Sequence, residues 1–171
     1  MIYKIHNVLS DWERKKIIKD IQPFLMNREQ MNIHYNNTNF YPGKQTDELL
    51  HLKPEFASLI KKIIDKIKKE IKLDLEVLRS WVKWSNGRKN QMNWHNHIGE
   101  SDKAVSYACV YYLKTLPFLG NGTLFEDGFI RAPQNSMIIF PSHLVHTTPK
   151  YSFPFMDRYV MSLNLNIRNS V

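Results

Sequence analysis

After Asp74 the chain breaks into short β-rich runs, at 78–85, 92–97, 105–114, 123–126, 136–141, 144–148 and 158–167, mostly parted by Gly, Pro, Asn or Ser. Many short strands at such spacing specify a sandwich or barrel. The front of the chain reads differently. Residues 2–6 form a short strand, and Ser10 is a good N-cap for a helix over 11–21, with Asp11 and Glu13 in its first turn and the S-x-x-E spacing of a capping box. Pro54 opens a second helix with Phe56, Leu59, Ile60, Ile63, Ile64, Ile67 and Ile71 on one stripe, while lysines such as Lys61, Lys62, Lys66 and Lys69 cover much of the rest. That pattern predicts a brace packed on a sheet. Between the helices, residues 27–45 are rich in Asn, Tyr and Gly and read as a long loop, a candidate lid or substrate loop. Helices first and strands after predict an α+β fold with a jelly-roll core. With 171 residues, no repeat and no linker, the expected organisation is one domain, 1–171. Within it, 1–77 supplies the N-terminal strand and supporting helices and 78–168 the β core.

Charge narrows the partners. The net charge is +8, which invites a nucleic-acid or acidic-membrane partner. However, residues 1–90 hold 18 Lys and Arg against 11 Asp and Glu, whereas residues 91–171 hold 6 against 5. The excess is concentrated on the front half, densest on the second helix, and a solvated basic face is the ordinary meaning of such a helix. Nucleic acid is therefore a disfavoured partner. No run approaches the roughly 20 apolar residues of a membrane span. A single cysteine, Cys109, excludes an intrachain disulfide and fits a reducing, cytoplasmic setting.

Three histidines carry the chemistry. His95 and His97 are two apart, so on a strand both rings share a face. His146 lies about fifty residues on, in Phe140-Pro141-Ser142-His143-Leu144-Val145-His146-Thr147-Thr148-Pro149. Two ligands close in sequence plus one remote is the pattern of a mononuclear metal site built across two strands. Imidazole suits Fe, Zn, Cu and Ni alike. His6, His34 and His51 fall outside any motif, with His34 on the candidate loop.

The ordered set His95-x-His97, Tyr111-Tyr112-Leu113, Gly120-Asn121-Gly122-Thr123, Ala132-Pro133, Phe140-Pro141, His146-Thr147-Thr148-Pro149 and Asp157-Arg158-Tyr159-Val160-Met161-Ser162 resembles the double-stranded β-helix of the iron(II)- and 2-oxoglutarate-dependent oxygenases. The likeness is to the prolyl-hydroxylase-like and small phage or bacterial branch, over about residues 78–168. It implies a dioxygenase that uses Fe(II), 2-oxoglutarate and O2 to hydroxylate a small-molecule or peptide substrate. It also implies that Arg158 pairs with the far carboxylate of 2-oxoglutarate, a planar fork suited to two parallel bonds. Ser162 and Tyr112 match hydroxyls beside that carboxylate, and Trp84 matches an aromatic lining the pocket. Along 105–114, period-two alternation then turns Ser106, Ala108 and Val110 to the pocket and Cys109 outward. His146 rather than His143 matches the distal ligand.

One departure stands out. The family places Asp or Glu two residues after the first His, where this chain has His97. Three readings remain open: His97 ligates and makes a three-His face; Glu100 or Asp102 folds back to supply a carboxylate; or His97 is the first ligand and His95 a pocket residue. Two rivals to the oxygenase are also open. One is a cupin-type metalloprotein without 2-oxoglutarate, using His95, His97, Glu100 and His146. The other is a non-enzymatic jelly-roll binding module that uses the basic helix. Arg158 separates them, because only the oxygenase needs it beside the metal site.

Overall fold

The computed structural model describes residues 1–27, 43–85, 93–98, 104–115, 121–149 and 156–168. Helix α1 (Asp11–Asp20) starts on its predicted capping box: Ser10 N donates to the Glu13 carboxylate at 2.9 Å, and Glu13 N donates to Ser10 Oγ at 3.2 Å. Arg14, buried, crosses from α1 to donate to the carbonyl of Leu113 at 2.8 Å. Helix α2 (Pro54–Ile71) begins on its proline and stops at Lys72, whose φ of 59° is left-handed. It buries Phe56, Ile60, Ile63 and Ile67, a helical stripe of the predicted kind. Lys62 pairs with Glu13 and so ties the two helices together.

Among the described residues nine strands form two antiparallel sheets. The larger has the order β1 (Tyr3–His6), β7 (Ser136–Pro141), β4 (Tyr107–Lys114), β9 (Arg158–Ile167), β3 (Leu75–Ser85) and β2 (Lys44–Gln45). The smaller joins β6 (Gly128–Arg131), β5 (Gly122–Phe125) and β8 (His146–Thr147). Alternation sorts the central strands into two faces. Cys109, Tyr111 and Leu113 of β4 and Met161, Leu163 and Leu165 of β9 pack in one cluster with the α2 stripe. Ala108, Tyr112, Ile138, Phe140 and Val160 pack in a second, on the opposite face. Cys109 is thus core on the helix side, and burial raises its thiol well above the usual range. A buried thiol of this kind is inert.

Several boundaries differ from the expectation. β3 begins three residues before the expected 78, extending the ladder to β9 at Leu75↔Ile167. The expected strand 92–97 is a single bridge, His95 opposite His146, and the run 144–148 contracts to His146–Thr147. β6 was not anticipated, because its four residues are mostly exposed and carry no alternating pattern. The hairpin it forms with β5 needs Gly122: a Cβ there would sit 2.0 Å from the carbonyl oxygen of Ile130. Of the expected loop 27–45, residues 28–42, including His34, lie outside the described residues, while β2 at its end pairs with β3. Among the described residues no helix is long and apolar enough to cross a membrane.

Candidate metal centre

Two backbone bonds build the centre. His95 N donates to His146 O at 3.0 Å and His146 N to His95 O at 2.9 Å, so the two residues stand directly opposite one another. Side chains of such a pair leave the ladder on the same face. His97 N donates to Ser142 O at 2.9 Å, which holds the H-x-H segment along the turn before β8. The three rings therefore converge, with centroids 4.3 Å apart for His95 and His146, 5.3 Å for His95 and His97, and 5.2 Å for His97 and His146. One nitrogen from each lies within 4.8 Å of the others. His97 and His146 are buried and His95 partly so.

The protonation state follows from the neighbours. His95 Nδ1 is 2.9 Å from Asn93 O, and His146 Nδ1 is 3.0 Å from Leu144 O. A carbonyl oxygen only accepts, so each Nδ1 carries a hydrogen, which leaves Nε2 as the ligating nitrogen whenever the ring is neutral. Burial first, and then the neighbouring His95, opposed in part by the Leu144 carbonyl, push the pKa of His146 down to about 3; His97 and Lys83 add to the depression. His146 is neutral at physiological pH, as a ligand must be. Three imidazoles converging in this arrangement fit a single divalent transition ion.

The rings line one wall of a pocket of about 520 Å³, measured out to its open mouth. The register of the large sheet arranges another wall in rows. Val110, Ser162 and Trp81 stand side by side across β4, β9 and β3; Tyr112, Val160 and Lys83 form the next row; Arg158 stands beside Ser85 in the row after. Arg158 is buried, with its guanidinium carbon 5.7 Å from the centroid of the Tyr112 ring. Tyr112 Oη and Thr123 Oγ1 are 2.7 Å apart, which ties β4 to β5 across the pocket. Among the described residues that line the pocket, Lys83 and Arg158 are the charged ones, and both are cationic.

The structure brings His95, His97, His146, Tyr112, Arg158 and Ser162 to one pocket. It does not bring Trp84. That side chain stands on the opposite face of β3, where its Nε1 donates to Asp157 at 3.0 Å. Trp81, three residues earlier, takes the pocket position, its ring 6.4 Å from that of His97. Strand parity accounts for the correction: 81 and 83 share the pocket face, and 84 cannot join them. Asp157, next to Arg158 in the chain, engages Trp84 and Lys114. His143 is exposed and lies outside the cluster. His51 sits elsewhere, its Nδ1 3.0 Å from Ser80 Oγ. Glu100 and Asp102 lie outside the described residues. Trp81, Lys83 and Thr123 were missed by sequence reasoning; alternation from Trp81 would have flagged the first two.

The fold is one found in proteins that bind 2-oxoglutarate at a non-heme metal. HygX from Streptomyces hygroscopicus, with nickel and 2-oxoglutarate bound, matches with a TM-score of 0.68 at 10% identity over 97% of this chain and 82% of its own. A viral collagen prolyl hydroxylase from Paramecium Bursaria Chlorella virus-1, in its 2-oxoglutarate complex, matches at 0.65 and 16% identity over 96% and 94%. SnoN, a non-heme α-ketoglutarate-dependent epimerase from nogalamycin biosynthesis, matches at 0.71 and 10% identity over 97% and 77%. HygX also has a structure with hygromycin B bound. No family model and no curated protein matches the sequence.

Proposed function

We propose that this protein is an Fe(II)- and 2-oxoglutarate-dependent dioxygenase that hydroxylates a small-molecule or peptide substrate. The observation that carries the proposal is the placement of buried Arg158 in the same pocket as the three imidazoles. A cupin-type site has no use for that arginine, and a binding module has no use for the imidazole cluster. The two antiparallel sheets are then the halves of a jelly roll, the double-stranded β-helix of residues 78–168, with 1–77 bracing it in one domain. A cytoplasmic setting fits the lone, buried Cys109. Nucleic acid stays disfavoured, since Lys61, Lys62, Lys66 and Lys68 of α2 already pair with carboxylates.

In this proposal His95, His97 and His146 hold the metal, and no carboxylate ligand is required of the chain. When bound, Fe(II) with 2-oxoglutarate and O2 would supply the oxidative decarboxylation to succinate and CO2 that drives substrate hydroxylation. The chain's own part is binding and orientation. Arg158 grips the far carboxylate through two parallel charge-assisted bonds. Ser162, two rows from Arg158 on the same strand face, lines the pocket with a hydroxyl for the co-substrate. Tyr112 donates its hydroxyl hydrogen to the same carboxylate when Thr123 donates to Tyr112 Oη, so Thr123 orients the tyrosine. Trp81, Val110 and Val160 line the walls and limit water.

Calorimetric titration of 2-oxoglutarate into the Mn(II)-loaded protein, without oxygen, tests this. Arg158→Ala is expected to weaken 2-oxoglutarate by on the order of 2–5 kcal/mol, the usual loss when one partner of a desolvated charge pair is removed, while leaving Mn(II) affinity near wild type. Arg158→Lys recovers only part of that loss, because a point charge lacks the fork. Ser162→Ala and Tyr112→Phe cost less, about 0.5–3 kcal/mol each. A wild-type protein that binds Mn(II) but not 2-oxoglutarate would sink the proposal in favour of a cupin-type metalloprotein.

A further inference from the structure

Lys83 is an unusual residue for the interior of a sheet: it is buried and lines the pocket from β3. Its Cα stands opposite that of Val160, between Ser162 and Arg158 along β9. From there a lysine can lean toward either row. It leans away from Arg158, since its ammonium lies 5.8 Å from the centroid of the Trp81 ring. Trp81 in turn abuts His97, with ring centroids 6.4 Å apart. Arg158 leans the other way, over Tyr112, which is tied to Thr123 on the smaller sheet. Each cation is thus held against a different aromatic ring, Lys83 against the one that abuts His97 and Arg158 against the one tied to the smaller sheet.

Resting on the dioxygenase reading, the geometry points to Lys83 as the residue that binds the carboxylate at the 2-oxo-acid end of the co-substrate, next to the imidazoles, opposite the end held by Arg158. A buried cation at each end selects a ligand with an anionic group at each end. Lys83 also meets a charge requirement. Among the described residues the centre contributes no negative charge, so a carboxylate beside the metal supplies one, and a second cation there strengthens its hold. The same cation repels a bare divalent ion. Lys83 therefore favours the co-substrate at some cost to the free metal.

The test uses the full-length protein, Fe(II) at saturation and no oxygen, with 2-oxoglutarate titrated by calorimetry and by the weak visible charge-transfer band of the chelated 2-oxo acid. Lys83→Met is expected to raise the Kd for 2-oxoglutarate by about 30-fold or more and to shift that band at saturation, because the chelating end has lost its anchor; loss of the band with Fe(II) affinity intact supports the same assignment. Arg158→Met is expected to raise the Kd while the saturated band keeps its wild-type position. Fe(II) affinity measured without 2-oxoglutarate is expected to be unchanged or tighter in Lys83→Met. Lys83→Gln carries the same expectations if the methionine variant does not fold. A Kd within threefold of wild type, or a raised Kd with an unmoved band, overturns the assignment. A wild-type protein that shows neither 2-oxoglutarate binding nor the band overturns the dioxygenase reading itself, a result separate from any seen in the variants.

Discussion

His146 occupies the most demanding position in the pocket. It lies against Phe140 and Phe125, with ring centroids 4.6 and 6.0 Å away, and its Nδ1 is committed to the Leu144 carbonyl. Its one remaining nitrogen faces His95 and His97. Replacing either His95 or His146 with alanine is therefore expected to abolish tight Fe(II) binding, whereas His143→Ala, at an exposed site outside the cluster, leaves it near wild type. Metal titration alongside circular dichroism checks this, because all three variants should keep the wild-type spectrum. A larger loss in His143→Ala than in His146→Ala would reverse the assignment of the distal residue.

At the scale of elements, α2 and the strand faces make opposite demands on a reader of the sequence. The α2 stripe was legible because its apolar positions recur at helical spacing and every one of them meets the same sheet face. Ile63, fully buried at its centre, is expected to cost about 2–5 kcal/mol on substitution with alanine, read by urea denaturation. Lys61→Ala, whose partner Asp65 is also exposed, should stay within roughly 1 kcal/mol of wild type. Strand faces were less legible, because each one-residue shift exchanges the two sides. Tyr112, Arg158 and Ser162 were found on the pocket because a motif fixed their parity. Trp84 was placed there without such a constraint, and its parity put it on the far face. Lys83 went unnoticed because a lone lysine between two tryptophans reads as solvent-facing until the ladder to β9 shows which way it points. The expected strand 92–97 is shorter for a related reason: among its described residues only His95 finds a backbone partner in a strand, and His97 bonds instead to the turn at Ser142.

For the molecule as a whole, the centre carries a cost in acid. The folded state keeps His146 neutral down to about pH 3, while the unfolded chain protonates it near its ordinary value of 6.5. Below that value the unfolded state binds a proton the folded state refuses, so stability falls as pH falls, over the window from about 6.5 toward 3, by at most about 1.4 kcal/mol per pH unit for this one group. Burial lowers His51 as well and adds in the same direction. The Glu13 carboxyl, held at about 2 chiefly by Lys62 and then by Ser10, adds its own loss only below about 4.5. Urea denaturation of the metal-free protein at pH 7 and pH 5 separates these: wild type is expected to be clearly weaker at pH 5, and His146→Ala to show a smaller difference. Equal differences in the two proteins would mean that His146 is not held neutral by the fold.

The central claim is that one pocket holds a metal at three histidines and a dicarboxylate at Arg158. A crystal structure grown with Mn(II) and 2-oxoglutarate, with anomalous scattering to locate the ion, tests it most directly. The expected result is a single anomalous peak within bonding distance of one side-chain nitrogen from each of His95, His97 and His146, and ligand density ending on the Arg158 guanidinium. A peak away from these three residues, or 2-oxoglutarate bound outside the pocket, would contradict it.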